Sequence, residues 1–152
     1  EHLQGRNIHA VVDATGELLR KVLKYRPFLI KPNNHELGEL FGQRLTTDEA
    51  IIFHAQKLQQ MGARNVLVSM AAKGAILLDE TGRYHKIFAP EGTVKNSVGA
   101  GDSMVAGFLA GWLEKRDYAH ALKMGAATGS ATAFSDGLAT KGAVMKLFQN
   151  LP

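Results

Sequence analysis

The sequence predicts an α/β fold: a mostly parallel sheet with helices on both faces and an antiparallel hairpin at one edge. Three observations carry this. Short apolar runs alternate along the chain with segments whose apolar residues recur at helical spacing. A turn signal, Glu80-Thr81-Gly82-Arg83, separates two extended runs. A stretch of small residues, Asn96-Ser97-Val98-Gly99-Ala100-Gly101-Asp102-Ser103, opens directly into an apolar segment that reads as a helix over residues 100–115.

In chain order, residues 1–8 are polar and read as the end of a helix begun upstream. His9-Ala10-Val11-Val12-Asp13 is a short apolar run ending in an acid, the pattern of a buried parallel strand. Thr15 or Asp13 can cap the next segment, a helix whose apolar positions are Leu18, Leu19, Val22, Leu23 and Tyr25 and which Pro27 stops. Phe28-Leu29-Ile30 is a second strand, linked to the first by a right-handed crossover. Asp48 or Thr47 begins a helix running to about Met61, with Ile51, Ile52, Ala55, Leu58 and Met61 on its buried face and Gly62 at its C-terminal end. Residues 65–70 form another buried strand, and residues 75–79 and 84–88 form the hairpin. Gly107 and Gly111 leave one face of the 100–115 helix almost bare, so another helix can pack closely there. Asp117 starts a helix rich in Ala and Gly, suited to that bare face. Residues 135–137 make a turn, and residues 141–149 form a last amphipathic helix.

The 152 residues suffice for one compact domain, and 45% hydrophobic with 21% charged residues is ordinary for a globular protein. The net charge of +4 suits anionic ligands. No run of Lys and Arg appears and the aromatics are not interleaved with basic residues, so nucleic acid is not indicated. The absence of cysteine fits a reducing, cytoplasmic setting. No apolar stretch is long enough to span a bilayer, so no membrane partner is expected.

Two places carry chemistry. Gly99 and Gly101 let the backbone turn tightly. The first amides of the following helix have no partner inside it and lie at the positive end of its dipole, a natural seat for phosphate. Asp102 beside that seat is odd for a simple anion pocket. It makes sense if the carboxylate takes a proton from a hydroxyl attacking the phosphate. An ordinary helix cap accounts for the same residues. The string is not a Walker loop, since no Gly-Lys-Ser/Thr follows, nor a dinucleotide fingerprint, since Met104 stands where the third glycine belongs. The second place is Lys31-Pro32-Asn33, which follows a strand where open α/β sheets collect ligands. Asn33 and Glu36, three residues apart, form either a capping box or a pair facing phosphates and Mg²⁺; both can hold together. His35-Glu36 also begins a zinc-protease-like string, but Glu39 stands where the second His belongs, so zinc is not expected.

The string Gly99-Ala100-Gly101-Asp102, with Lys31-Pro32-Asn33-Asn34-His35-Glu36-Leu37 and Ser135-Asp136-Gly137-Leu138-Ala139-Thr140, resembles the ribokinase-like sugar kinases, the PfkB family. The resemblance covers nearly the whole chain but only the carboxy-terminal half of a usual member. It implies a three-layer ribokinase-like fold in which the amino-terminal half and the lid are missing. Residues 1–152 are then the nucleotide-binding part, in a chain that begins partway through a longer protein. It implies ATP and Mg²⁺ as cofactors, Asp102 as base, and an anion hole of Gly99, Ala100 and Gly101 amides. It also implies an outer-shell metal role for Asn33 and Glu36, and nucleotide contacts from Ser69, Met70, Ala71, Lys73, Gly74, Val98, Gly101 and Asp102. Ala71 departs from the family pattern, which has glycine there; Ser69 and Gly74 match it. The adenine is expected near Val98. The acceptor implied is a sugar phosphate, fructose 1-phosphate first. Tagatose 6-phosphate, another family acceptor, or a non-catalytic nucleotide-binding relative are the alternatives. A homo-oligomer is implied for the full-length protein, and little or no activity for this chain alone.

Overall fold

The computed structural model describes residues 8–152. The helix end expected over residues 1–8 therefore lies outside the described residues except at Ile8, which is irregular. Five strands, β1 (Val11–Val12), β2 (Leu29–Ile30), β3 (Asn65–Ser69), β4 (Ala75–Leu78) and β5 (Tyr84–Ile87), form one mixed sheet in the order β1-β2-β3-β4-β5. β1, β2 and β3 are parallel, with Val12 opposite Ile30 and Ile30 opposite Val66. The connections 70–74 and 79–83 are far too short for a crossover, so β4 and β5 run antiparallel to their predecessors. Asp79 shapes the hairpin turn: its Oδ1 accepts the N–H of Thr81 at 2.8 Å and of Arg83 at 3.2 Å.

Consecutive side chains of a strand point to opposite faces. Val66, Leu67 and Val68 are all fully buried, so both faces of β3 are covered, as a near-continuous apolar strand requires.

The described residues divide into two compact units, one holding the chain up to Met70 with Ile76–Tyr84, the other Ala71–Ala75 with His85–Pro152. In the first, α1 (Gly16–Leu23), α2 (Asn34–Leu40) and α3 (Asp48–Gln60) surround a core of Leu19, Leu23, Leu37, Ile51, Leu58 and Val66. Thr47 caps α3 by accepting the Ala50 N–H at 3.2 Å. At its other end the Ala63 N–H reaches Leu58 O at 3.1 Å and the Gly62 N–H reaches Gln59 O at 2.9 Å, the paired closure expected of a glycine after the last turn.

Three apolar positions expected in the core are not there. Leu18 is 63% exposed, Tyr25 37% and Met61 39%. The buried stripe of α1 is Leu19 and Leu23, four residues apart; Leu18 sits off it, and Tyr25 and Met61 lie beyond the ends of their helices. His54 is buried instead, its Nδ1 2.7 Å from Ala50 O and its ring 5.0 Å from that of Phe41. Nor does Pro27 stop α1. The helix ends at Leu23, and Arg26, at φ 52°, turns the chain out of it.

The second unit is built on α4 (Ala100–Lys115), α5 (Tyr118–Ala133) and α6 (Lys141–Asn150). Asp117 caps α5, its Oδ1 accepting the His120 N–H at 2.6 Å. The bare face of α4 meets α5 as expected. A Cβ on Gly107 would lie 2.6 Å from Thr128 Cβ and 2.7 Å from Met124 O; one on Gly111 would lie 2.9 Å from Met124 Cβ. In return Gly125 and Gly129 of α5 leave room for the Met104 backbone and side chain. No helix among the described residues is long and apolar enough to cross a membrane.

Candidate functional site

In the first unit the polar residues gather at the carboxyl ends of the parallel strands. Asn33 pairs with Ser69 in a parallel bridge, and the Ser69 N–H donates to Pro32 O at 3.2 Å. Asn33 and Glu36 form the capping box. Asn33 Oδ1 accepts from the His35 N–H at 2.9 Å and the Glu36 N–H at 2.8 Å, and Glu36 Oε2 accepts the Asn33 N–H at 2.8 Å. The capping reading is thus realised. A carboxylate has about four lone-pair sites, so this bond leaves acceptor capacity on Glu36. Met70 is buried behind Ser69.

Sequence reasoning named Asp13 as a possible helix cap and Lys31 within the Lys31-Pro32-Asn33 string, but did not pair the two. The register Val12↔Ile30 sets Asp13 beside Lys31, whose Nζ lies 3.3 Å from Asp13 Oδ2. Opposite charges directly after two apolar strands are the signal that points to them.

Ala71–Lys73 form an exposed 3-10 turn in the second unit, and Gly74 follows. A Cβ on Gly74, at φ +91°, would collide with the Ile87 carbonyl and lie 2.8 Å from Ala89 N, so only glycine fits. Ala71 has φ 50°. The departure from glycine therefore leaves a left-handed backbone carrying a side chain, at a cost of about 1–2 kcal/mol. Ala71→Gly is expected to stabilise the chain by about 1 kcal/mol and to raise its melting midpoint by roughly 2–4 °C. A lower midpoint in a thermal scan would show that the loop carries no such strain.

The turn before α4 is pinned on several sides. The N–H groups of Lys95 and Asn96 donate to Ala133 O at 2.8 and 3.2 Å, and Asn96 Oδ1 accepts the Val98 N–H at 3.0 Å. Thr132 Oγ1 donates to Ser103 Oγ at 2.9 Å in a buried bond and accepts the Ala139 N–H at 3.2 Å. Thr132 and Ser103 thereby fix the first turn of α4 against the end of α5, a supporting role that spacing alone does not reveal.

Gly99, at φ 79°, is the N-cap and has no side chain to cap the helix. The Gly101 and Asp102 N–H groups take no acceptor among the described residues. The Ala100 N–H, expected as a third member of the hole, is instead bonded to Ser97 O at 3.2 Å. Asp102 is exposed, and its carboxylate makes no hydrogen bond or ion pair among the described residues. Val98, 79% exposed, and Leu138, 76% exposed, flank the turn, a Leu138 methyl lying against Gly99.

No group of three or more His, Asp or Glu among the described residues could cage a metal. Asn33 and Glu36 carry hard oxygen donors of the type that Mg²⁺ takes, and Glu36 keeps acceptor capacity beyond its bond to the Asn33 N–H.

A layered sheet with polar side chains at its parallel strand ends is that of an α/β protein, the class whose ligands collect at such ends. The chain belongs to the pfkB family of carbohydrate kinases, since the model described as "pfkB family carbohydrate kinase" matches residues 4–143. It is 46% identical over 149 residues to 1-phosphofructokinase of Bacillus subtilis, covering 97% of this chain and 48% of the relative. With D-tagatose-1-phosphate kinase of Klebsiella oxytoca it shares 34% identity over 151 residues, 99% of this chain and 49% of the relative. Among solved structures, Escherichia coli phosphofructokinase-2 in complex with substrates and products superposes with a TM-score of 0.90 at 29% identity, covering 99% of this chain and 50% of that one. The chain thus spans about half the length of the relatives it matches, and the ribokinase-like fold class expected from residues 99–102 is the one found.

Proposed function

We propose that this chain is the carboxy-terminal, nucleotide-binding part of an ATP-dependent sugar-phosphate kinase that converts fructose 1-phosphate to fructose 1,6-bisphosphate. One observation carries the reading: Asp102 stands exposed and unengaged among the described residues, beside main-chain donors that have no acceptor. A carboxylate kept there for capping would reach back to the N–H of Gly99, a bond that Asp102 does not make among the described residues.

In the proposed reaction a hydroxyl oxygen of the acceptor bonds to the γ-phosphorus of ATP as the bond to the bridging oxygen breaks and ADP leaves. The alcohol is a poor nucleophile at neutral pH. Asp102 accepts its proton as the new bond forms, help typically worth about 10²–10⁴-fold. The amides at Gly101 and Asp102, and that of Gly99, face the developing charge on the transferring group. Ser69, Met70, Ala71, Lys73, Gly74 and Val98 are assigned to the nucleotide. Mg²⁺, when bound, supplies neutralising charge, and Asn33 and Glu36 hold its water shell. The higher identity to 1-phosphofructokinase favours fructose 1-phosphate. The D-tagatose-1-phosphate kinase relative keeps another ketose phosphate as the second reading.

The test is direct. MgATP titrated into the purified chain is expected to bind, while fructose 1-phosphate releases little or no ADP, because half of the family's length is absent and open sites transfer poorly. Absence of ATP binding would overturn the nucleotide role, and sustained sugar-dependent ADP release would overturn the half-site reading.

A further inference from the structure

The ends of α1 and α3 and the β4–β5 turn line a cleft of about 740 Å³ in the first unit, room enough for one small ligand. Arg26 and Arg64 on its wall shortly precede β2 and β3, so the cleft lies at the amino ends of these strands, a strand's length from Asn33, Glu36 and Ser69. Its walls are tied together. Gln59 Nε2 donates to Arg64 O at 2.9 Å and to Asp79 O at 2.8 Å, joining the end of α3 to the start of β3 and to the hairpin turn. A Cβ on Gly62 would collide with the Leu23 carbonyl, so the ends of α1 and α3 meet backbone to backbone. The charge is one-sided. Arg64 is spent on Glu80, its Nε and Nη2 lying 2.8 and 2.6 Å from Oε2. Lys24 and Arg26 line the cleft with no acidic partner among the described residues. Two helix C-termini supply roughly half a negative charge each, which two full cations exceed. Arg26 is moreover held at φ 52°, a left-handed backbone that glycine takes at far lower cost. Arg116 has the same kind of backbone, at φ 55°, and its guanidinium stacks on Trp112, 3.9 Å from the ring centroid. The Arg26 side chain has no such contact among the described residues.

We infer that this cleft is an anion-binding site for a small molecule carrying two or more oxyanion groups. The planar fork of the Arg26 guanidinium matches one carboxylate or phosphate, and the Lys24 ammonium takes another as a point charge. Glycine at residue 26 would relieve the backbone and remove the fork, so the arginine is kept for its side chain. Arg64, held by Glu80 and by the Phe28 ring 5.1 Å away, is a positioning residue that fixes the wall. The inference is independent of the proposed function.

The probes are inorganic pyrophosphate and citrate, each titrated without Mg²⁺ and at low salt into the purified, isotope-labelled chain, with the amide resonances of Gly62, Thr81 and Gly82 as the readout. Saturable shifts at these amides are expected. Lys24→Gln and Arg26→Gly should each weaken the saturation about tenfold, the low end for a charge-assisted contact because both side chains are exposed. Arg26→Gly suits the backbone at that residue and is expected to melt no lower than the unsubstituted chain, so a folding defect does not cloud the result. Arg26→Lys keeps the charge without the fork and should bind with intermediate strength. Saturation by pyrophosphate alone would make the ligand a phosphorylated compound, and saturation by citrate alone a polycarboxylate; either sustains the inference. No saturable shift with either probe, or shifts that both substitutions leave unchanged, would overturn it and leave two solvated cations balancing the ends of α1 and α3.

Discussion

Asp102→Asn, in a kinase carrying this chain as its carboxy-terminal half, is expected to lower kcat by about 10²–10⁴-fold while ATP affinity stays close to its starting value. Asparagine keeps the shape of the side chain and discards the proton-accepting oxygen. The residue is exposed and has no partner among the described residues, so its replacement leaves no buried group stranded. The first turn of α4 is held by Thr132 and Ser103, not by Asp102, and should stay in place. The loss therefore falls on the chemical step, and the split between kcat and ATP dissociation constant distinguishes a base from a cap. A helix-capping role would appear as a lower melting midpoint with kcat nearly unchanged, and that result would remove Asp102 from the mechanism.

Gly107→Val is expected to produce the largest loss of stability, about 3 kcal/mol or more, lowering the melting midpoint by roughly 6–12 °C. Two effects oppose each other at an interior helical glycine. Adding a side chain raises helix propensity by up to about 1 kcal/mol. Against this, the first added carbon would lie 2.6 Å from Thr128 Cβ and 2.7 Å from Met124 O, closer than any real contact. Thr128 can turn its side chain aside, but the carbonyl of Met124 belongs to the α5 backbone, so α4 and α5 must separate. Thr128→Ala should accordingly recover part of the loss and not all of it, a non-additivity that a double-mutant cycle of melting midpoints reads directly. A fully restored midpoint would place the whole clash on the threonine.

Much of this arrangement was legible in the sequence where local chemistry decides it. α4 starts at Ala100 because a glycine able to take positive φ precedes it, and α3 closes at Gly62 for a related reason. The capping box of Asn33 and Glu36 is fixed by a spacing of three residues, and the facing glycines of α4 and α5 by their recurrence along each helix. What escaped was set at longer range. Helical spacing fixes a stripe but not its edges, so Leu18 was grouped with Leu19 although only the latter meets the core. His54 reads as a surface residue until Phe41 is brought against it from α2's end. The Asp13–Lys31 pair depends on the register of two strands that are separated by a whole helix. Of the anion hole expected from the Gly99, Ala100 and Gly101 amides, that of Gly101 is available, as is the unforeseen one of Asp102, whereas that of Ala100 is committed to Ser97, a local bond that a glycine count does not disclose.

The bond from the Asn33 N–H to Glu36 Oε2 ties the start of α2 to the same carboxylate proposed to face the metal's water shell. The two uses are thermodynamically linked. A cation whose water shell holds that carboxylate in place also holds its bond to the main chain, and whatever frays α2 blurs the metal's address. Cation occupancy and local backbone order at residues 33–36 should therefore rise and fall in concert. A chain that senses magnesium would then register it first as a change in the exchange of a few amide hydrogens, before any phosphate has moved.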